Sequence, residues 1–300
     1  MKTLDGKVIL VTGAGRGIGA AIANCCAREG ASVVVNDLAP SSANGMEDCA
    51  QEVVAGILKE GGRAILCHGS VTDIRAMEEL LHRSIEEFGH VDAVVNNAGI
   101  LRDAIFHKLT PADWSSVLDV HLTGCFNLSR AVAPHFRKRE AGAFVHMTST
   151  TGLLGNIGQA NYAAAKAGIV ALSTSIALDM ARFNVRSNCV APTAWTRLVE
   201  TVPETAENAA MRAKLRALTP EKIAPLVASL CSDRAAGVSG QVFGVRGEEI
   251  FLYSRPTILR TMHRSEGWSA QDCADIVLPA LAPSMPPLTQ TRDIINWAPL

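Results

Sequence analysis

From Lys7 to about Gly247 the chain alternates short, almost continuously apolar runs with longer segments of helical periodicity, and this alternation constrains the fold most. The apolar runs are residues 8–11, 32–36, 64–68, 91–95, 143–148, 185–190 and 241–245. They are too short for core helices, and several are rich in β-branched residues. Helical patterns over 18–29, 46–60, 74–88, 112–136 and 162–183 separate them. A strand wetted on one face would alternate apolar and polar residues, whereas a strand covered on both faces is apolar throughout. The pattern therefore predicts an α/β fold, a doubly wound parallel sheet of seven strands with helices on both faces.

Composition narrows what such a sheet can serve. With only 8 Phe, 4 Trp and 2 Tyr, the core must be built mainly from Ala, Val, Ile and Leu. A net charge of −1 argues against a generally nucleic-acid-binding surface. No uninterrupted apolar run approaches the roughly 18 residues of a membrane span, so none is expected. The run at 8–11 is too short for a signal peptide and reads as a first strand. Residues 298–300 are not of the peroxisomal Ser-Lys-Leu type, and a cytoplasmic location is the expectation. The eight cysteines include no Cys-x-x-Cys pair. Their irregular spacing fits reduced, buried side chains, not a disulfide framework or a metal site. Residues 1–250 are read as one domain with a substrate lid over about 195–218. Residues 251–300 are read as a C-terminal extension over the domain or a neighbouring subunit, with disorder disfavoured by Trp268, Trp297 and residues 294–295.

Thr12-Gly13-Ala14-Gly15-Arg16-Gly17-Ile18-Gly19 follows the first strand and opens the first helix. In that context glycines let backbone approach a pyrophosphate, and the helix N-terminus presents unpaired N–H groups to its charge. Gly13, Arg16, Gly17, Ile18 and Gly19 are therefore candidate cofactor contacts. Asp37 ends the next strand, where a carboxylate can accept hydrogen bonds from ribose hydroxyls and repel a 2′-phosphate. Asp37 favours NAD over NADP, although Arg16 could pair with a 2′-phosphate. Asn96-Asn97-Ala98-Gly99 closes the fourth strand, and Asn97, Ala98 and Gly99 would face the same crevice unless the run is only a turn.

Ser149 ends the fifth strand, and Tyr162 and Lys166 share one face of the following helix. A phenol ionises near pH ~10 and is a poor base at neutral pH. A neighbouring ammonium and a positive nicotinamide would favour the phenolate. This set fits proton transfer coupled to hydride transfer, with Ser149 positioning the substrate oxygen. The bland alternative is a strand-end cap, a core tyrosine and a surface lysine.

Together, Gly13/Gly17/Gly19, Asn96-Asn97-Ala98-Gly99 and Ser149…Tyr162-x-x-x-Lys166 resemble the short-chain dehydrogenase/reductase family from about Lys7 to Gly247. The resemblance implies a Rossmann-type sheet, a homodimer or homotetramer, and further cofactor contacts at Ser70, Val71, Pro192 and Trp195. It also implies a relay role for His121, which stands where the family often has Asn and acts there largely through its carbonyl. A helix-packing histidine is the alternative. A second departure is Pro192-Thr193, where the family has Pro-Gly. The runs VHLTG (120–124), NNAGILRD (96–103) and GNIGQANYAAAK (155–166) resemble one branch in particular. That branch is the (3R)-hydroxyacyl-CoA dehydrogenase portion of the peroxisomal multifunctional enzyme, with its bacterial relatives.

That branch implies NAD-dependent oxidation of a secondary alcohol, with a 3-hydroxyacyl-CoA as the small-molecule substrate. Leu153, Leu154 and Ile157 would line its apolar pocket, with Leu198 in the lid. Arg102, Lys108 and Arg197 could meet CoA phosphates or be solvated surface charges. The competing readings are a hydroxysteroid or other alcohol dehydrogenase, a 3-oxoacyl-thioester reductase, which Asp37 disfavours, and an idle NAD-binding scaffold or redox sensor.

Overall fold

The computed structural model describes residues 2–40, 48–195, 216–289 and 291–297. Each of the seven apolar runs is a strand: β1 Val8–Thr12, β2 Ser32–Asp37, β3 Arg63–His68, β4 Ala93–Asn96, β5 Gly142–Met147, β6 Val185–Thr193 and β7 Val242–Arg246. These seven are parallel to their neighbours, but an eighth, β8 Glu249–Leu252, pairs antiparallel with β7. The sheet is thus mixed and has 8 strands, in the order β3-β2-β1-β4-β5-β6-β7-β8. The expectation of seven parallel strands missed β8 because this four-residue edge strand returns from β7 after only two residues and runs into the stretch read as the tail. β8 also straddles the boundary placed at residue 250.

The described helices are α1 Gly17–Arg28, α2 Cys49–Lys59, α3 Ile74–Phe88, α4 Pro111–Leu118, α5 Gly124–Arg139, α6 Thr150–Leu154, α7 Ala160–Met180 and α8 Ala224–Cys231, with short turns in the tail. Local chemistry sets their starts. Asp73 accepts from the Arg75 and Ala76 amides, and Thr110 caps α4 ahead of Pro111. The single helix expected over 112–136 is interrupted by one π turn, Asp119–Thr123. The start of the helix expected at 46 and most of the lid, including Arg197 and Leu198, lie outside the described residues.

Strand pleating sends alternate residues into two cores. Ile9, Val11, Val33 and Val95 meet Ile22, Val54 and Val227 from α1, α2 and α8. Leu10, Val34, Val94 and Phe144 meet Met77, Leu80, Leu128 and Phe136 from α3 and α5. Each such fully buried side chain contributes about 1.5–3 kcal/mol. Between β1 and β4 the strand order reverses, and a crevice opens beyond their carboxyl ends.

One helix, Ala160–Phe183, is long and apolar enough by length and composition to cross a membrane. Counting uninterrupted apolar residues overlooked it. In this fold it lies against β6 and α6 with Asn161, Lys166 and Ser173 buried.

The tail is tied back to the sheet edge. Arg246 is only 7% exposed and bonds Glu249 Oε2 through Nε (2.8 Å) and the Trp297 carbonyl through Nη1 (3.0 Å). The Trp297 indole N–H in turn donates to Glu249.

Candidate active site

The cofactor and catalytic candidates converge on one cleft of about 680 Å³ beyond the carboxyl ends of β1, β2, β4 and β5. Gly13, Arg16, Gly17 and Ile18 form one end with Asp37, Ser70 and Val71; Ser149, Tyr162, Lys166 and His121 stand on its other walls with Asn97, Ala98, Gly99 and Pro192. Two candidates stand outside the lining. Gly19 lies in the first turn of α1, where a Cβ would lie 2.2 Å from the Gly13 carbonyl, so its smallness serves close packing. Trp195 donates its amide to the Leu218 carbonyl (2.6 Å) and has the Arg216 guanidinium over its ring, and Ala194 lines the cleft in its place. Leu153, Leu154 and Ile157 do not line it either; the first two belong to α6, which the sequence did not separate from a loop.

The glycine turn has the shape a dinucleotide needs. Gly13 has φ +60°, and a Cβ there would lie 2.8 Å from Ala98 Cα. The α1 N-terminus has no side-chain cap and no acidic residue in its first turn, so its amides stay open toward an anion. Asn97 fastens this turn to β4 by donating to the Thr12 and Gly13 carbonyls, both at 3.0 Å. Thr12, which sequence reasoning missed, accepts from the Asn97 and Ala98 amides at 3.0 and 3.2 Å. Asp37 is held by the Gly15 and Leu38 amides, each at 2.8 Å, and these fix its carboxylate at the end of β2. Gly-rich turn, uncapped helix end and terminal carboxylate together fit a nicotinamide dinucleotide.

At the other end, Ser149 caps α6, accepting from Thr151 N at 3.1 Å, and hydrogen-bonds the Tyr162 hydroxyl. Lys166 is buried and donates to the Met147 carbonyl at 2.5 Å; its Nζ sits 5.5 Å from the Tyr162 ring centroid. Burial pushes Tyr162 up to about 12, an effect opposed by the Ser149 bond and reinforced by Asp103. Burial also pushes Lys166 down to about 8. The expectation of a phenol lowered by the ammonium and the nicotinamide belongs to the cofactor-bound site; in the protein alone burial is the largest effect and holds Tyr162 as a phenol.

His121 lies in the π turn, buried to 2% exposure. Its Nε2 is 2.7 Å from the Ile100 carbonyl, its Nδ1 has no partner, and its ring meets Tyr162 edge-on at 5.2 Å. Burial, then the Lys166 charge, pushes its pKa down to about 3, so the imidazole is neutral and does not titrate near neutral pH. The cleft also takes in Thr151, which no sequence motif marked, and Gln159, which stands in the 155–166 run with no role attached to it. Arg102 turns its guanidinium to the Leu101 carbonyl at 2.9 Å, and Lys108 is exposed.

The chain is similar to known proteins in sequence and fold. Residues 7–207 match the short chain dehydrogenase family. The chain is 39% identical over 265 residues to hydroxyacyl-CoA dehydrogenase ChsB1 of Mycobacterium tuberculosis, covering 86% of this chain and 82% of that one. It is 42% identical over 233 residues to the peroxisomal multifunctional enzyme type 2 of Mus musculus, covering 76% of this chain but spanning only 30% of that enzyme. A crystal structure of a short chain dehydrogenase from Mycobacterium avium superposes with a TM-score of 0.85 at 35% identity, over 96% of this chain and 99% of that one. Motif, cleft and relatives agree that this chain is an oxidoreductase belonging to the short-chain dehydrogenase/reductase family.

Proposed function

We propose that the protein oxidises a secondary alcohol to a ketone with NAD, and that the alcohol is a 3-hydroxyacyl-CoA. The observation that carries this reading is one cleft with Asp37 at its nucleotide end and Ser149, Tyr162 and Lys166 at the other. The bound nicotinamide supplies the hydride acceptor. The chain's own residues do the rest. Ser149 donates to the substrate oxygen, and Tyr162 exchanges the hydroxyl proton. Lys166, anchored on the Met147 carbonyl, presents its charge to Tyr162 and to the cofactor's ribose side. His121 braces the wall behind Tyr162.

Asp37 supports NAD because its backbone-held carboxylate would oppose a 2′-phosphate without needing to reorganise. The acyl-CoA assignment draws on the similarity to the hydroxyacyl-CoA dehydrogenase of M. tuberculosis. A homodimer or homotetramer belongs to the same reading. The Ala160–Phe183 helix has only 28% of its most apolar window buried, and Phe126 and Leu178 are exposed, surfaces that a second copy would cover. The eight cysteines, all buried or half-buried, fit a reducing, cytoplasmic setting.

The test is reduced-cofactor formation across CoA thioesters, free hydroxysteroids and simple alcohols, each with NAD and with NADP. Turnover of 3-hydroxyacyl-CoA with NAD is expected; reaction of free alcohols only, or preference for NADP, refutes the assignment. Tyr162→Phe should lower kcat by about 10²–10⁴-fold while NADH binding, read by fluorescence, persists. Retained turnover would remove Tyr162 from proton transfer.

A further inference from the structure

Asp103, on the segment after β4, has no assigned role, yet it is fastened to the start of the helix that carries Tyr162. Its Oδ2 accepts from Gln159 Nε2 at 2.8 Å. The Gln159 carboxamide is fixed in that orientation because its oxygen accepts from Thr151 (3.3 Å) and Asn156 (2.9 Å). Two further bonds lash the segments together. Ala104 N donates to the Gly158 carbonyl (2.9 Å), and Asn161 Nδ2 donates to the Arg102 carbonyl (3.0 Å). Asn161 then accepts from the Tyr162 amide at 2.8 Å. Gln159 lies one helical turn ahead of Tyr162, so the staple ties the Asp103 carboxylate to the start of the helix that carries the phenol.

No cation among the described residues pairs with Asp103. Arg102, next in sequence, spends its guanidinium on the Leu101 carbonyl, and Asp113 on α4 is engaged with Thr110. The compensation available is the positive N-terminal end of α7, which is a partial charge. The groups facing Tyr162 are Lys166 on its own helix, His121 in the π turn, Ser149 after β5, and Asp103 across the staple.

We propose that Asp103 is a charge-tuning residue for Tyr162: its uncompensated carboxylate, lashed to the first turn of α7, opposes the phenolate and sets how high the pH must rise before Tyr162 accepts the alcohol's proton. This rests on the reading of Tyr162 as the proton-transfer residue. Asp103 does not touch the reacting atoms and acts through Tyr162 alone. Its field adds to burial in raising the phenol, against the Ser149 hydrogen bond. The carboxylate is exposed at the rim, so solvent screens the interaction and keeps it modest. The consequence is a pH dependence: alcohol oxidation, which draws on the phenolate, rises along an acid limb that the Asp103 carboxylate displaces to higher pH.

Asp103→Asn tests this, because asparagine retains an oxygen to accept from Gln159 and removes only the charge. The acid limb of the kcat/KM profile for oxidation should move to lower pH by about half a unit, a gain of roughly threefold on the slope. A second readout needs neither cofactor nor substrate. The chain has 2 Tyr, and the Tyr253 hydroxyl is buried without a partner, so Tyr253→Phe leaves Tyr162 as the one phenol. In that background, tyrosinate absorbance is read with and without Asp103→Asn, at a fixed alkaline pH where circular dichroism shows both proteins folded. Roughly threefold more phenolate is expected in the protein that carries Asp103→Asn than in the one that keeps the carboxylate. Equal phenolate fractions overturn the proposal, even if activity changes. A raised phenolate fraction without turnover of any alcohol would leave the tuning intact and sink the proposed function instead.

Discussion

Gly99 and His121 compete for the same space. A Cβ at position 99 would lie 2.3 Å from His121 Cε1, and the ring has little room to retreat, with Ile100 at Nε2 and Tyr162 at its edge. Gly99→Ala should therefore act through the wall behind the phenol. We expect kcat/KM to fall by about tenfold or more and stability by about 1–3 kcal/mol, checked by steady-state kinetics and thermal melts; unchanged kinetics would show that the ring yields freely. At this scale the convergence of Gly13, Tyr162 and Lys166 on one cleft was legible in the sequence, through helical spacing for Tyr162 and Lys166 and through its neighbours for Gly13. The roles of Thr12, Asp103 and Gln159 were not. They arise from hydrogen bonds between segments distant in sequence, as with Asp103 and Gln159, and no periodicity records such pairings.

Among the elements, strands were readable because burial on both faces writes itself as continuous apolar sequence. The π turn was not, because one extra residue per turn leaves an amphipathic pattern nearly intact while re-aiming the side chains within it. Here it carries His121 into the cleft. β8 escaped notice because it is short and runs into the stretch read as the tail, yet it supplies Glu249 to the clasp that holds Trp297. That clasp is small: one indole hydrogen bond, the Arg246 guanidinium 5.2 Å from the indole, and an edge contact with Phe251 at 5.9 Å. Trp297→Ala should release the C-terminal segment without unfolding the domain. Limited proteolysis within residues 253–297 should accelerate by roughly tenfold while global stability changes by less than about 2 kcal/mol. An unaltered digestion pattern would mean that the segment is held elsewhere.

The whole molecule shelters imidazoles that cannot be charged in place. Burial pushes both His121 and His146 from 6.5 down to about 3, with the Lys166 charge as the second cause for each. Between those values the unfolded chain takes up protons that the folded chain refuses, so their stabilisation is complete above pH 6.5 and is lost as pH falls toward 3. The melting temperature should decline on acidification below about pH 6.5, and unfolding near pH 5 should take up at least about two protons. Calorimetry in buffers of different ionisation enthalpy measures this; uptake well below that would mean that the imidazoles are already protonated in the fold.

The placement of β1 between β2 and β4 also has a bearing on time. β1 pairs with β2 early in the chain, but its other edge stays open until Ala93–Asn96 exists, and only then can Asn97 reach the carbonyls of Thr12 and Gly13. Closing a loop of that length carries an entropic cost before any contact repays it. The glycine turn, written almost first in the sequence, is therefore among the later parts of the molecule to acquire its final shape, and a nascent chain shorter than about one third of its length has the glycines without the cradle.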